Sequence, residues 1–357
     1  MARTSVCRSA ANGRPGRTPT EETCTMSGSL STEQIDTFNT EGFLVVPGLL
    51  DPAADLQPII EEYSGVLDRL ATGLVASGEL TESYAHLGFS ERLMAVTAEV
   101  GRDLSQHFDF SLPQSSTKID TPIWTGPAVF SLLRHTGILD AVESLIGGEI
   151  YANPVQHVRL KIPEHRMPRD PDTGELKNLA TPWHQDNGVV NEEADETEMI
   201  TVWLPLGPAT HQNGCLVVQP RAHHRGLLPH CSSASPVGTR EGGPGLRIPR
   251  AVLGPEVAEL EMAAGDVLLM HRRTPHSSGH NTSNDVRWSF DLRYHPVGQP
   301  TGRSAFPGFV ARSRSHPDAE LRDAEGWAQS WRDARGRVST EPPARFNRWQ
   351  DDAVVCA

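Results

Sequence analysis

Along the chain the spacing of apolar side chains changes character near Glu149. Before that point they recur at three- and four-residue steps, the period of amphipathic helices. Ser31-Thr32-Glu33-Gln34 reads as a capping box opening a helix over Thr32–Glu41, and the apolar run 42–48, closed by Pro47 and Gly48, reads as a strand and turn. From Asp51 to about Ala71, the steps Leu56, Ile59, Ile60, Tyr63, Val66 and Leu67 predict a second helix. Residues 88–107 and 129–146 predict two more, the latter ending at Gly147-Gly148. After Glu149 come short β-rich runs: Val155–Ile162, Met199–Leu206, Gly214–Gln219, Asp266–His271 and Arg287–Tyr294. No helix of clear period separates them, which predicts a β-sandwich or jelly roll. Two long polar loops, 163–181 and 228–254, are candidate lids, and a charged helix carrying Leu321, Trp327 and Trp331 is expected from Asp318 to Arg335. The expected organisation is a disordered leader at 1–30 and a single domain at 31–312. That domain has a helical part at 31–148 and a β core at 149–297, and a helical extension and tail follow at 313–357.

Composition narrows the class. The chain has 357 residues, 37% hydrophobic and 22% charged, which fits a soluble globular protein. A formal net charge of −13 argues against nucleic-acid partners or a polybasic membrane surface. No uncharged apolar run approaches the roughly 18 residues of a spanning helix. Cys7, Cys24, Cys215, Cys231 and Cys356 are scattered with no CxxC pair, so a reducing compartment and a cytoplasmic location are expected. Residues 1–28 are rich in Ser, Thr, Gly and Arg; their arginines suit a transit peptide, and they lack the apolar core of a secretory signal. A disordered leader is the expectation, with Met26 a candidate natural start.

Among 15 histidines, three form His-x-Asp: His107-Phe108-Asp109, His184-Gln185-Asp186 and His316-Pro317-Asp318. A non-haem iron oxygenase needs two imidazoles and one carboxylate on one octahedral face, with three positions left for cosubstrate and oxygen. On a strand, residues two apart point to one side and can share a metal. His107 ends an expected helix, where such a pair does not converge, and His316 has no histidine after it. His184 and Asp186 precede the β-rich region, and His276 follows ninety residues after Asp186. His271 and His280 flank His276, but the first ends its strand too early and the second lies past Gly279. A dicarboxylate chelating the metal at one end needs a cation for the other, a task suited to the bidentate fork of arginine. Arg287, eleven residues after His276, opens a strand with Arg287, Ser289 and Asp291 on one face and Trp288, Phe290 and Leu292 on the other. Taken alone, Arg287 would read as a surface salt bridge on an edge strand, and any single histidine as an ordinary hydrogen-bonded one. Trp183, just before the first ligand, is a candidate pocket wall or a core aromatic; Asn187, beside the triad, is a candidate substrate contact. The acidic run 192–198 reads as a solvated loop rather than a cation site.

His184-Gln185-Asp186, Gly265-Asp266-Val267-Leu268-Leu269-Met270-His271, His276-Ser277-Ser278-Gly279 and Arg287 resemble the phytanoyl-CoA dioxygenase family. The opening Phe43-Leu44-Val45-Val46-Pro47-Gly48-Leu49-Leu50 and Asn213-Gly214-Cys215-Leu216-Val217-Val218-Gln219-Pro220, with His223 after it, share the resemblance, which spans about residues 32–297. It implies a mainly β protein with flanking helices around a double-stranded β-helix (jelly-roll, cupin-like) core. It implies iron(II) held by His184, Asp186 and His276, with 2-oxoglutarate as cosubstrate and O2 as oxidant. Arg287 and Ser278 match the contacts to the far carboxylate, and Trp203 and His157 match cosubstrate-wall positions. The chain departs from the family at Lys161-Ile162-Pro163-Glu164, where the family has Lys-x-Pro-Gly. Related halogenases lack the metal carboxylate, so Asp186 implies a hydroxylase or related oxidation. The implied reaction oxidises an unactivated C–H bond of a small organic metabolite and releases succinate and CO2. The sequence shows no dense basic cluster for a CoA phosphate. Two alternatives stay open: a cupin-type metal dioxygenase that does not use 2-oxoglutarate, and a non-catalytic metal- or ligand-binding member of the fold.

Overall fold

The computed structural model describes residues 28–113, 116–169, 174, 180–237, 246–342 and 346–357, so the leader at 1–27 lies outside the described residues. Helix α1 (Thr32–Glu41) has the expected reciprocal cap: Gln34 N donates to Ser31 Oγ (3.2 Å) and Ser31 N donates to Gln34 Oε1 (2.9 Å). Strand β1 (Phe43–Val46) follows directly. A wide helical turn over Pro52–Leu56 leads into α2 (Gln57–Ala76). Helix α3 (Phe89–Val100) stops short of residue 107 because Gly101 takes a left-handed conformation (φ 71°) that ends it. The helix expected at 129–146 is two, α4 (Pro127–Leu133) and α5 (Thr136–Ile146). The break follows Leu133, whose carbonyl accepts a bond from the buried Tyr294 hydroxyl (3.0 Å).

The β region comprises β2 (Glu149–Ala152), β3 (His157–Lys161), β4 (Ile200–Pro205), β5 (Leu216–Val218), β6 (Ala258–Leu260), β7 (Val267–His271), β8 (His276–Ser278), β9 (Arg287–Pro296) and β10 (Phe309–Ser313). Helix α6 (Ala324–Val338) closes the set. It begins later than expected because Asp323, not Asp318, caps it; Trp327 and Trp331 are buried on it, while Leu321 instead bonds back to β10. The larger sheet runs β1-β7-β4-β9-β2-β10, with β3 also paired to β9; the smaller runs β6-β5-β8. All ladders are antiparallel. This is a mostly antiparallel jelly roll with flanking helices.

Alternation along the strands sends their apolar side chains into two separate clusters. Val158, Leu160, Ile200, Val202, Leu204, Trp288, Phe290 and Leu292 face outward into one large cluster with the helices. Trp203, Leu216, Val218, Leu260, Leu268 and Met270 face inward between the sheets. The remaining inward positions of β3 and β9 are polar, and a one-residue slip of either strand would exchange them with the apolar row.

The last described segment, 346–357, runs back across the β region as a strap. Arg348 N donates to Gly188 O (3.1 Å), Gln350 N donates to His230 O (2.8 Å), and Asp351 accepts from the backbone and side chain of Ser232 (both 2.7 Å). A disulfide joins Cys231 to Cys356. This departs from the all-thiol expectation: the partners lie 125 residues apart, beyond any local spacing rule. Cys215 is a buried free thiol. Among the described residues no helix is long and apolar enough to cross a membrane.

Candidate metal centre and cosubstrate pocket

His184 and His276 are joined by an isolated antiparallel bridge, each N–H donating to the other's carbonyl at 2.9 Å. Residues paired this way present their side chains on one face, and the two ring centroids stand 4.2 Å apart. The His184-x-Asp186 segment lies outside the named strands, ahead of the β-rich region as expected. His184 alone is bridged, and Asp186 opens a short 3-10 turn, Asp186–Val189. Gln185 between them is extended (φ −117°, ψ 147°), so the two side chains still share a side. One donor atom from each of His184, Asp186 and His276 lies within 4.8 Å of the others.

The surrounding bonds set the chemistry of these donors. Nδ1 of His184 lies 2.9 Å from Pro182 O, and Nδ1 of His276 lies 3.0 Å from Thr274 O. A carbonyl can only accept, so each Nδ1 carries the proton and each Nε2 offers a lone pair. Burial, reinforced by the charge of His276, pulls the His184 imidazole down to about 3, so it is neutral at physiological pH. Burial alone would raise the Asp186 carboxyl. Arg293, His276 and His184 outweigh it and hold the group far below the usual carboxylate range. Arg293 Nη2 donates to Asp186 Oδ1 at 2.5 Å, and Thr201 donates to Oδ2. Gln185 locks the turn: its N–H donates to His230 Nε2 (3.0 Å), its amide to the carbonyls of Gly226 and Arg273, and its Oε1 accepts from Leu228 N. Leu228 and His230, at the opening of the second loop, thus hold the segment that carries Asp186. Two imidazoles and one carboxylate in this cluster fit a divalent iron with open coordination positions.

A cavity of about 450 Å³, measured to its open mouth, holds His184 and His276 together with Trp203, Ser278 and Arg287. Arg287 is buried on the interior β9 strand and not at an edge, so the surface-salt-bridge alternative fails. Its Nη1 donates to Ser289 Oγ (3.0 Å) and its guanidinium carbon lies 5.5 Å from the centre of the Trp203 ring. Among the described residues it makes no ion pair, and its Nε has no partner. Burial, with Arg159 nearby, lowers it to about 10, which leaves it charged at neutral pH. A buried cation without a counterion is costly, and an anion in the cavity would relieve it. Ser278 Oγ accepts from Lys161 Nζ (2.7 Å) and Thr181 N (3.0 Å), and Lys161 also donates to Gly279 O (2.5 Å). Burial and then Arg287 push the Lys161 ammonium down to about 6.

The other sequence candidates separate. Trp203 lines the cavity. His157 faces inward, but its Nδ1 is bonded to Asp109 (2.8 Å) and it is not among the described lining residues. Neither are Trp183 and Asn187. The 3-10 turn carries the Asn187 amide to Asp195 O (3.3 Å), and the Trp183 carbonyl accepts from Ile248 N. The acidic run is partly engaged, Asp195 pairing with Arg348 (2.5 Å) and Glu196 with Arg273 (3.1 Å). Arg293, Thr201 and Arg159 were not singled out from the sequence. Extending the β9 alternation by one step past Asp291 reaches Arg293, and stepping back from Trp203 reaches Thr201.

Fold and donor set together define a jelly-roll protein with a two-histidine, one-carboxylate cluster. Residues 38–289 match the family model of phytanoyl-CoA dioxygenase, and the chain belongs to that family of iron(II)- and 2-oxoglutarate-dependent oxygenases. It is 30% identical over 180 residues to a 1-deoxypentalenic acid 11-beta-hydroxylase of Streptomyces arenae, covering 49% of this chain and 59% of that protein. The chain thus spans less than two thirds of that relative. It is 23% identical over 267 residues to the peroxisomal phytanoyl-CoA dioxygenase of Homo sapiens, covering 74% of this chain and 68% of that one. The solved apo structure of a non-heme monooxygenase, ThoJ, shares the fold with a TM-score of 0.51 at 18% identity, over 85% of this chain and 96% of its own.

Proposed function

We propose that the protein is an iron(II)- and 2-oxoglutarate-dependent dioxygenase that hydroxylates an unactivated C–H bond of a small organic metabolite. The observation that carries this is one cavity holding two imidazoles whose Nδ1 atoms are bonded to carbonyls and, at its wall, a buried arginine with no counterion among the described residues. In this reading His184, Asp186 and His276 hold the metal, and Asp186 in the third position favours hydroxylation over halogenation. Iron with 2-oxoglutarate and O2 supplies oxidation of a C–H bond coupled to release of succinate and CO2. The chain supplies placement. Arg293 and Thr201 fix the two oxygens of Asp186, and the Pro182 and Thr274 carbonyls fix the imidazole tautomers. Arg287 takes the far carboxylate of the cosubstrate, Ser278 adds a hydroxyl, and Trp203 walls the chamber beside them.

The test is the visible charge-transfer band formed when iron(II) and 2-oxoglutarate are added without oxygen. Wild type should form it, and Asp186→Ala should lose it. Arg287→Ala should raise the 2-oxoglutarate requirement by about 30- to 150-fold, for a charge-assisted pair of about 2–3 kcal/mol. Iron bound with no band, or a cosubstrate affinity indifferent to Arg287, overturns the reading in favour of a cupin that does not use 2-oxoglutarate.

A further inference from the structure

Strand β3 places His157, Arg159 and Lys161 on its inward row, opposite Asp291, Ser289 and Arg287 of β9. His157 is held by Asp109, and Lys161 by Ser278 and Gly279. Arg159 is different. Its side chain has no hydrogen bond or ion pair among the described residues, and it remains exposed although its strand neighbours Val158 and Leu160 are buried. An unpaired arginine on an outer surface is ordinary, but this one faces the interior. It lines the cavity that contains His184 and His276, and it also lines a second, outer cavity of about 530 Å³, measured to its open mouth. Thr181 and Arg287 border both spaces, so the two adjoin.

From this arrangement we infer that Arg159 is the anchor for a carboxylate on the primary substrate, which lies across the two cavities with its reacting carbon toward the metal cluster. The inference rests on the functional reading above. The cosubstrate already has its cation in the more deeply buried Arg287, beside Ser278 and Trp203. That leaves the fork of Arg159 for a different anion. The charge nearby suits a monoanion. Asp109 borders the outer cavity, where it would repel a phosphate dianion or a polyphosphate more strongly than a carboxylate, and Lys161 is already engaged. A single guanidinium fork matches a planar carboxylate through two parallel bonds.

The experiment uses the full chain loaded with redox-inert manganese(II) and 2-oxoglutarate, titrated calorimetrically with cyclic and bicyclic monocarboxylic acids, each beside its methyl ester. The expected result is at least one acid binding wild type about tenfold or more tighter than its ester. Arg159→Gln should abolish that preference and Arg159→Lys should keep part of it. The 2-oxoglutarate affinity from the anaerobic iron band should be unchanged in both. A panel in which no acid outperforms its ester overturns the inference, and so does an Arg159→Gln protein that keeps the preference. If Arg159→Gln instead weakens 2-oxoglutarate, Arg159 belongs to the cosubstrate clamp and the inference is again overturned. A wild type that forms no iron–cosubstrate band overturns the functional reading itself, a result separate from all of these.

Discussion

Asp186 is almost wholly enclosed, and in the metal-free protein its charge is balanced by Arg293, itself 3% exposed. Breaking a buried pair by removing one partner costs about 3–5 kcal/mol, because the other charge is left uncompensated. Arg293→Met should therefore destabilise the metal-free protein by about that much in urea unfolding. Saturating manganese should recover part of the loss, since a cation beside Asp186 replaces the missing one. Equal destabilisation with and without metal would sink that account. Lys161 gives a pH signature. Its folded pKa, about 6, lies below the unfolded value of 10.5, so between these limits the unfolded chain binds more protons. Stability should rise with pH across that window and lose this contribution below it, with a slope of up to about 1.4 kcal/mol per unit. Lys161→Met should flatten the slope between pH 6.5 and 9. The residues that converge on the cluster were legible because a two-residue step and a distant histidine are sequence features. Arg293 and Thr201 were less so, because their role depends on which strands lie side by side.

At the level of elements, the joint between α1 and β1 is tied to the segment that orients His276. Gly42 has φ 82°, and a Cβ there would come within 2.4 Å of the His223 ring and 2.8 Å of Thr274 Oγ1. Its carbonyl accepts from His271 N (2.9 Å) and from the Thr274 hydroxyl (2.6 Å), and the Thr274 carbonyl in turn orients His276. Gly42→Ala should cost about 1–3 kcal/mol of stability and also weaken manganese binding, which calorimetry would read. A stability loss with unaltered metal affinity would show that the joint is only structural. Strands β2 and β10 were not foreseen, whereas the first helices and strands β1, β3, β4, β5, β7 and β9 were legible from periodicity and caps. Strands β6 and β8, of three residues each, were not, because two or three positions carry no detectable alternation. The divided helix at Arg134 was hidden for another reason: the side chain that captures the Leu133 carbonyl arrives from β9.

Over the whole molecule, the expectation of a jelly roll with helices around it matches the sheets and layers found, while the Cys231–Cys356 link was invisible to any local rule. Closing a loop of that length removes enough freedom from the unfolded chain to be worth about 4–5 kcal/mol. Cys356→Ser should lower stability by up to that amount. A reductant should lower wild type to the same level and leave the variant untouched; a variant as stable as oxidised wild type would contradict this. In topological terms, the disulfide turns the chain into a covalent ring with an open arm. The ring carries His276, Ser278, Arg287 and Arg293, while the arm carries His184, Asp186, Arg159 and Trp203. Each half holds part of the donor set and neither holds all of it. Escape of a bound ion would then report the parting of arm from ring, before either has come undone.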